Sequence, residues 1–197
     1  MYKKIGLYGW SFDPLHYGHI NLAIQILEKK KLDEIWFCPT SLNPLKKKFP
    51  PISIEHRLNM LKIGLAELPF HKIYTPSIQN LYTIDLVKHI LEQQKFSNNL
   101  FYWIIGEDTL EQIDTWHKVD ELMELIPFLI GTRSLRRKIN LPAQIKKRIE
   151  HSFVNIPLMD ISSTDIRQRI ASSQYIQHLV PGKVIDYIIK YQLYFLT

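Results

Sequence analysis

The chain has 197 residues, 46% of them hydrophobic and 12% aromatic, enough to bury a substantial core in a single domain spanning 1–197. No run approaches the ~18 consecutive apolar residues a bilayer span needs, and Tyr2-Lys3-Lys4-Ile5 leads into a strand pattern rather than a signal peptide, so a cytoplasmic chain without a membrane partner is expected. A net charge of +6 favours anionic partners, among which small phosphorylated molecules count as much as nucleic acid.

In chain order, Ile5 to Gly9 reads as a buried strand, and from Gly18 the pattern turns helical, with Ile20, Ala23, Ile24 and Leu27 on one stripe. A strand over Glu34 to Cys38 follows. It holds the single cysteine, which excludes an internal disulfide and any multi-cysteine zinc site; Cys38 reads as buried filler. Asn43 to Ile52 reads as a mobile loop rather than a domain linker. Then come a helix over about Ile54 to Glu67, a strand over Lys72 to Tyr74, a helix over Thr83 to Gln94 and a strand over Leu100 to Ile105. A helical stretch after Glu107, strands over Phe128 to Gly131 and Phe153 to Ile156, and helices opening near Ser162 and Pro181 complete the chain. This alternation predicts a doubly wound α/β fold, a parallel sheet covered on both faces. The basic clusters Lys46-Lys47-Lys48, Arg136-Arg137-Lys138 and Lys146-Lys147-Arg148 are scattered and lack interleaved aromatics. The last two read as solvated surface, and no nucleic-acid partner is expected. A homo-oligomer is compatible with the composition.

In such folds ligands bind beyond the carboxyl ends of the strands, which directs attention to Gly9-Trp10-Ser11-Phe12-Asp13-Pro14-Leu15-His16-Tyr17-Gly18-His19. Asp13-Pro14 ends the strand, and Gly18 leaves room for a ligand at the helix start. His16 and His19, three apart across that start, point toward an anion-binding helix N-terminus and form a receptor for a triphosphate. The turn offers no H-E-x-x-H glutamate and no obvious third metal ligand, and the chain contains no P-loop. In Ile161-Ser162-Ser163-Thr164-Asp165-Ile166-Arg167, Ser162 caps a helix whose hydroxyls and Arg167 guanidinium suit phosphate oxygens. Gly106-Glu107-Asp108 places Asp108 at the sheet edge, either as an acceptor for a ribose hydroxyl or as a simple helix-start charge. Trp116 is either core or a stacking platform.

These residues resemble the signatures of the HIGH-type nucleotidylyltransferases. The turn is similar to G-x-F-D-P-x-H-x-G-H, Ile161 to Arg167 to I-S-S-T-x-I-R, and Ile104 to Asp108 to I-I-G-x-D. The tail Leu179-Val180-Pro181 through Val184, Tyr187-Ile188 and Leu193-Tyr194 resembles the bacterial nicotinate-nucleotide adenylyltransferases in particular. The resemblance implies condensation of ATP with nicotinate mononucleotide to deamido-NAD and pyrophosphate, with Mg²⁺. It implies catalytic roles for His16, His19, Lys46 and Arg167, and ATP contacts from Gly9, Ser11, Phe12, His16, Gly18, His19, Gly106, Asp108, Ile161, Ser162, Ser163, Thr164 and Arg167. Lys46, Tyr82, Thr83, Trp116 and His117 would hold the mononucleotide, with Thr83 on the carboxylate and Trp116 on the pyridine ring. No metal-ligating side chains are implied.

Two positions depart from the family pattern. Trp10 stands where a second glycine is usual, so its indole must point away from the nucleotide or reshape the pocket, and Leu45 replaces the usual histidine beside Lys46. The alternatives are the same chemistry on another acceptor, such as nicotinamide mononucleotide, or a catalytically weakened nucleotide-binding paralogue. The Thr83 and Trp116 matches argue against 4′-phosphopantetheine.

Overall fold

The structure, a computed structural model, describes residues 2–40, 51–76, 82–132, 141–157 and 159–195. Six strands form one parallel sheet: β1 (Lys4–Trp10), β2 (Glu34–Pro39), β3 (His71–Ile73), β4 (Leu100–Gly106), β5 (Phe128–Thr132) and β6 (Phe153–Asn155). Their spatial order is β3-β2-β1-β4-β5-β6, so the chain winds outward from β1 in both directions. The helices are α1 (Tyr17–Lys30), α2 (Ile54–Leu65), α3 (Thr83–Gln93), α4 (Val119–Leu125), α5 (Ala143–Ile149), α6 (Ser163–Ala171) and α7 (Gly182–Lys190), and a 3₁₀ helix covers Glu107–Thr115.

The period-two alternation of the strands sorts the core onto two faces. Ile5, Leu7, Trp103 and Ile105 bury against Ile84, Val87 and Ile90 of α3, Leu122 of α4 and Ile145 of α5. On the opposite face Tyr8, Ile35, Phe37 and Ile104 bury against Leu22, Ala23 and Ile26 of α1 and Leu61 and Leu65 of α2. Gly9 must lack a side chain, because a Cβ there would run into the fully buried indole of Trp103. A third apolar group joins α6 and α7 to Met60 of α2 through Ile166, Ile170, Val184 and Ile188. Gly64 permits that approach, since a Cβ on it would lie 2.6 Å from Leu15 and 2.8 Å from Val184.

Because β1 is bordered by β2 and β4 while α1 and α3 cover opposite faces, a crevice opens at the carboxyl ends of β1 and β4. The predicted doubly wound sheet is therefore present. Two details differ from the sequence reading. The β5–β6 crossover contains α5, which that reading omits although Leu141, Ile145 and Ile149 are buried at helical spacing. The helical stretch after Glu107 is two pieces, separated at Lys118, whose φ of 52° is left-handed. Of the basic clusters, Lys146 and Lys147 are exposed on α5 and Arg148 pairs with Glu124 at 2.6 Å. Lys46 to Lys48 and Arg136 to Lys138 lie outside the described residues.

Candidate active site

Beyond β1 the chain reverses through Phe12, whose φ of 49° is in the region L-residues avoid. Burial offsets this strain: the Phe12 ring is fully enclosed, 5.3 Å from Tyr8, 5.6 Å from Phe37 and 5.1 Å from His19 between centroids. Above this aromatic floor α1 begins with a reciprocal cap. The His19 backbone N–H donates to His16 Nδ1 and the His16 backbone N–H donates to His19 Nδ1, each at 3.3 Å. The two imidazoles stack with centroids 3.6 Å apart.

The geometry fixes the protonation chemistry. A ring nitrogen that accepts from a backbone amide carries no proton, so each neutral imidazole holds its proton on Nε2. Burial keeps both neutral: it pushes His16 down to about 3, and lowers His19 through burial first and the neighbouring His16 second. The sequence reading of a paired donor site at the helix start is thereby refined, since the helix cap and the donor pair are the same two side chains.

The first turn of α6 closes against this turn. Ser162 caps α6 by accepting from the Asp165 N–H at 3.1 Å, and Ser163 Oγ donates to the Pro14 carbonyl at 3.1 Å. Arg167 donates from Nη1 to the Asp13 carbonyl at 2.6 Å and from Nη2 to Thr164 Oγ1 at 3.2 Å. Between the two halves lies a cavity of about 380 Å³, bounded by His16, Gly18 and His19 on one side and Ile161 to Thr164 on the other, with Gly106 and Asp108 at its β4 end. The cavity walls desolvate the Asp108 carboxyl and raise its pKa.

Of the expected ATP-contacting residues, Ser11, His16, Gly18, His19, Gly106, Asp108, Ile161, Ser162, Ser163 and Thr164 line this cavity. Gly9, Phe12 and Arg167 do not: Gly9 faces Trp103, Phe12 is under the histidines, and the Arg167 guanidinium is bound to Asp13 and Thr164. Trp10 does not point away. Its half-buried indole is part of the wall, 6.4 Å from the His19 ring. Tyr8, Leu22, Glu107, Met159 and Asp160 also line the cavity and were not singled out from sequence. Tyr8 and Trp10 share one strand face, so alternation could have found the first.

Arg57 of α2 was missed as well, because an arginine on an amphipathic helix reads as surface. It is 1% exposed, and its guanidinium donates to the carbonyls of Ser11 (2.8 Å), Thr40 (2.7 Å) and Ile52 (3.2 Å), tying the ends of β1 and β2 together. On the α3 side, the Tyr82 and His117 rings meet 4.3 Å apart, Thr83 opens α3, and Trp116 is half-buried against the core. These four lie outside the lining of the 380 Å³ cavity. Lys46 and Leu45 lie outside the described residues.

A family model described as cytidylyltransferase-like matches residues 7–169, from the middle of β1 through most of α6. The chain belongs to that family. The nicotinate-nucleotide adenylyltransferase of Bacillus subtilis is 35% identical to this cytidylyltransferase-like chain over 195 residues, covering 98% of each. A solved structure of Plasmodium falciparum nicotinic acid mononucleotide adenylyltransferase complexed with NaAD aligns with a TM-score of 0.78 at 27% identity, covering 98% of both chains. The same enzyme complexed with APC gives a TM-score of 0.75 at the same identity and coverage.

Proposed function

We propose that the chain transfers the adenylyl group of ATP to nicotinate mononucleotide, giving deamido-NAD and pyrophosphate in NAD biosynthesis. The observation that carries this reading is the neutral His16–His19 stack, facing Ser162 to Thr164 across the cavity in a chain 35% identical to a nicotinate-nucleotide adenylyltransferase. The attacking oxygen belongs to the 5′-phosphate of the mononucleotide, which is already anionic, so no protein nucleophile or general base is required. A bond forms from that oxygen to the α-phosphorus while the bond to the bridging oxygen breaks, and its electron pair leaves with pyrophosphate. Catalysis then consists of positioning and of donors aimed at the charge on the phosphates.

His16 and His19 supply two Nε2–H donors that need no proton from solvent. The opening of α6 supplies backbone N–H groups and the Thr164 hydroxyl, held in place by Arg167. Lys46 adds a cation, and Asp108 accepts from the nucleotide. For the acceptor, Thr83 opens the 11-residue α3, whose N-terminus has no side-chain cap, so its amides suit the carboxylate that nicotinate has and nicotinamide lacks. Trp116, with Tyr82 and His117 beside it, would face the pyridine ring.

Mg²⁺ would enter with the nucleotide. Among the described residues no group of three or more His, Cys, Asp or Glu side chains could hold a metal ion, which fits a cation bound chiefly by phosphate oxygens. Such a cation would neutralise triphosphate charge in the cavity, whose β4 end carries Glu107 and Asp108. No helix among the described residues is long and apolar enough to cross a membrane, and we place the reaction in the cytoplasm, carried out by one unit spanning 1–197.

The test is turnover of the purified chain with ATP, Mg²⁺ and either mononucleotide. Pyrophosphate release with nicotinate mononucleotide is expected, at a kcat/KM at least ~10-fold above the nicotinamide form. His19→Ala should lower kcat by at least ~100-fold, the scale of losing one donor to the transition state. Tight ATP binding without pyrophosphate from either mononucleotide would reduce the chain to a nucleotide-binding paralogue. Equal turnover of both would overturn the acceptor assignment.

A further inference from the structure

We propose that Tyr194, in the segment after α7, is a positioning residue for the nucleotide site: its hydroxyl anchors Asp13, and through Asp13 and Arg167 it holds Thr164 against the cavity. The inference rests on the adenylyl-transfer reading for the identity of the nucleotide, while the geometry stands on its own.

Asp13 lies in the histidine turn and is 5% exposed, so its carboxylate depends on protein donors. Tyr194 Oη donates to Asp13 Oδ1 at 2.7 Å, across 181 residues of sequence. Arg167 approaches the same residue twice: Nη1 donates to the Asp13 carbonyl at 2.6 Å and lies 3.7 Å from Oδ2. The remaining Arg167 contact runs to Thr164 Oγ1, and Thr164 lines the cavity. Hydroxyl, carboxylate, guanidinium and threonine thus form one continuous path from Tyr194 to the phosphate-facing turn of α6.

Two further observations support an arranged contact. The backbone is left-handed at Gln192 (φ 51°) and at Tyr194 itself (φ 69°), conformations that L-residues adopt only when their surroundings hold them there. Burial and the neighbouring Asp13 also raise the pKa of Tyr194, so the hydroxyl remains a donor throughout the neutral range. With the hydroxyl removed, Asp13 Oδ1 must recruit another donor. The Arg167 guanidinium, already 3.7 Å from Oδ2, is one such donor, and drawing it toward the carboxylate takes it from Thr164.

The test uses Tyr194→Phe, which keeps the ring and deletes the hydroxyl, and Asp13→Asn, which keeps the shape and deletes the charge. Calorimetry of the full chain with ATP is expected to give a Kd about tenfold weaker for Tyr194→Phe at a melting temperature close to that of the parent. In the Asp13→Asn background the same Tyr194→Phe change should cost less than threefold, because no buried charge then needs the hydroxyl. An unchanged ATP Kd in Tyr194→Phe overturns the proposal. So does an equal loss in both backgrounds, which is the signature of a general packing role. ATP binding is measured without the acceptor, so failure of the transfer assay and failure of this proposal are separate results.

Discussion

Acidification should expose the histidine pair as a stability switch. In the folded chain His16 titrates at about 3, against about 6.5 in an unfolded chain. Below the unfolded value the unfolded state binds a proton that the folded state refuses, so stability falls as the pH drops from about 6.5 toward 3. Integrating for this one group from pH 7.5 to pH 5 gives a loss of about 2 kcal/mol, and His19, shifted in the same direction, adds to it. Urea denaturation at the two pH values measures the total; the His16 share is isolated by His16→Asn. The asparagine Oδ1 can take over the cap that Nδ1 provides, and its side chain does not titrate. The parent is expected to lose about 2 kcal/mol more than the variant between pH 7.5 and 5. Equal losses in the two proteins would falsify the claim that His16 is held neutral by burial. The histidine Cε1–H resonances give an independent check, since those of His16 and His19 should not move between pH 8 and 5.

Three other measurements address separate parts of the molecule. ATP should alter tryptophan emission through Trp10, the indole in the cavity wall, and Trp10→Phe should abolish that change; a signal that persists would place the responsive indole elsewhere among the four. Arg57→Met leaves the half-buried Ser11 and Thr40 carbonyls without their donor and should cost about 3 kcal/mol in urea denaturation, whereas a cost under about 1 kcal/mol would mean water replaces the guanidinium. Trp116→Ala should raise KM for nicotinate mononucleotide about tenfold and leave KM for ATP within about twofold. Equal increases for both substrates would remove Trp116 from the acceptor side.

Much of the fold was legible because its strands are short apolar runs with turn residues at their ends, and β1, β2, β4 and β5 agree with the reading to within a residue or two. α5 was missed for a physical reason: in seven residues bearing Lys146, Lys147 and Arg148, charge obscures the buried Ile145 and Ile149. At the site, sequence spacing located both halves of the cavity but could not say which atoms face it. Arg167 and Phe12 share the motif with the lining residues, yet one is turned onto Asp13 and the other lies beneath the histidines. Arg57 was not singled out at all, and Tyr194 entered only as part of the tail resemblance, with no role at the site. Their partners are 46 and 181 residues away in sequence, and only the packing of α2 and the segment after α7 brings them to the histidine turn.

The indole of Trp10 also bears on selective inhibition. Much of the cavity lining consists of hydroxyls, imidazoles and glycine backbone, groups suited to the polar parts of a nucleotide analogue. Trp10 adds a flat apolar panel to a lining that also includes Tyr8, Leu22 and Met159. A compound carrying a planar hydrophobic group against that panel would gain contact area absent from any relative with glycine at this position. It would therefore discriminate by shape rather than by charge, and its selectivity should persist at salt concentrations that weaken phosphate mimics.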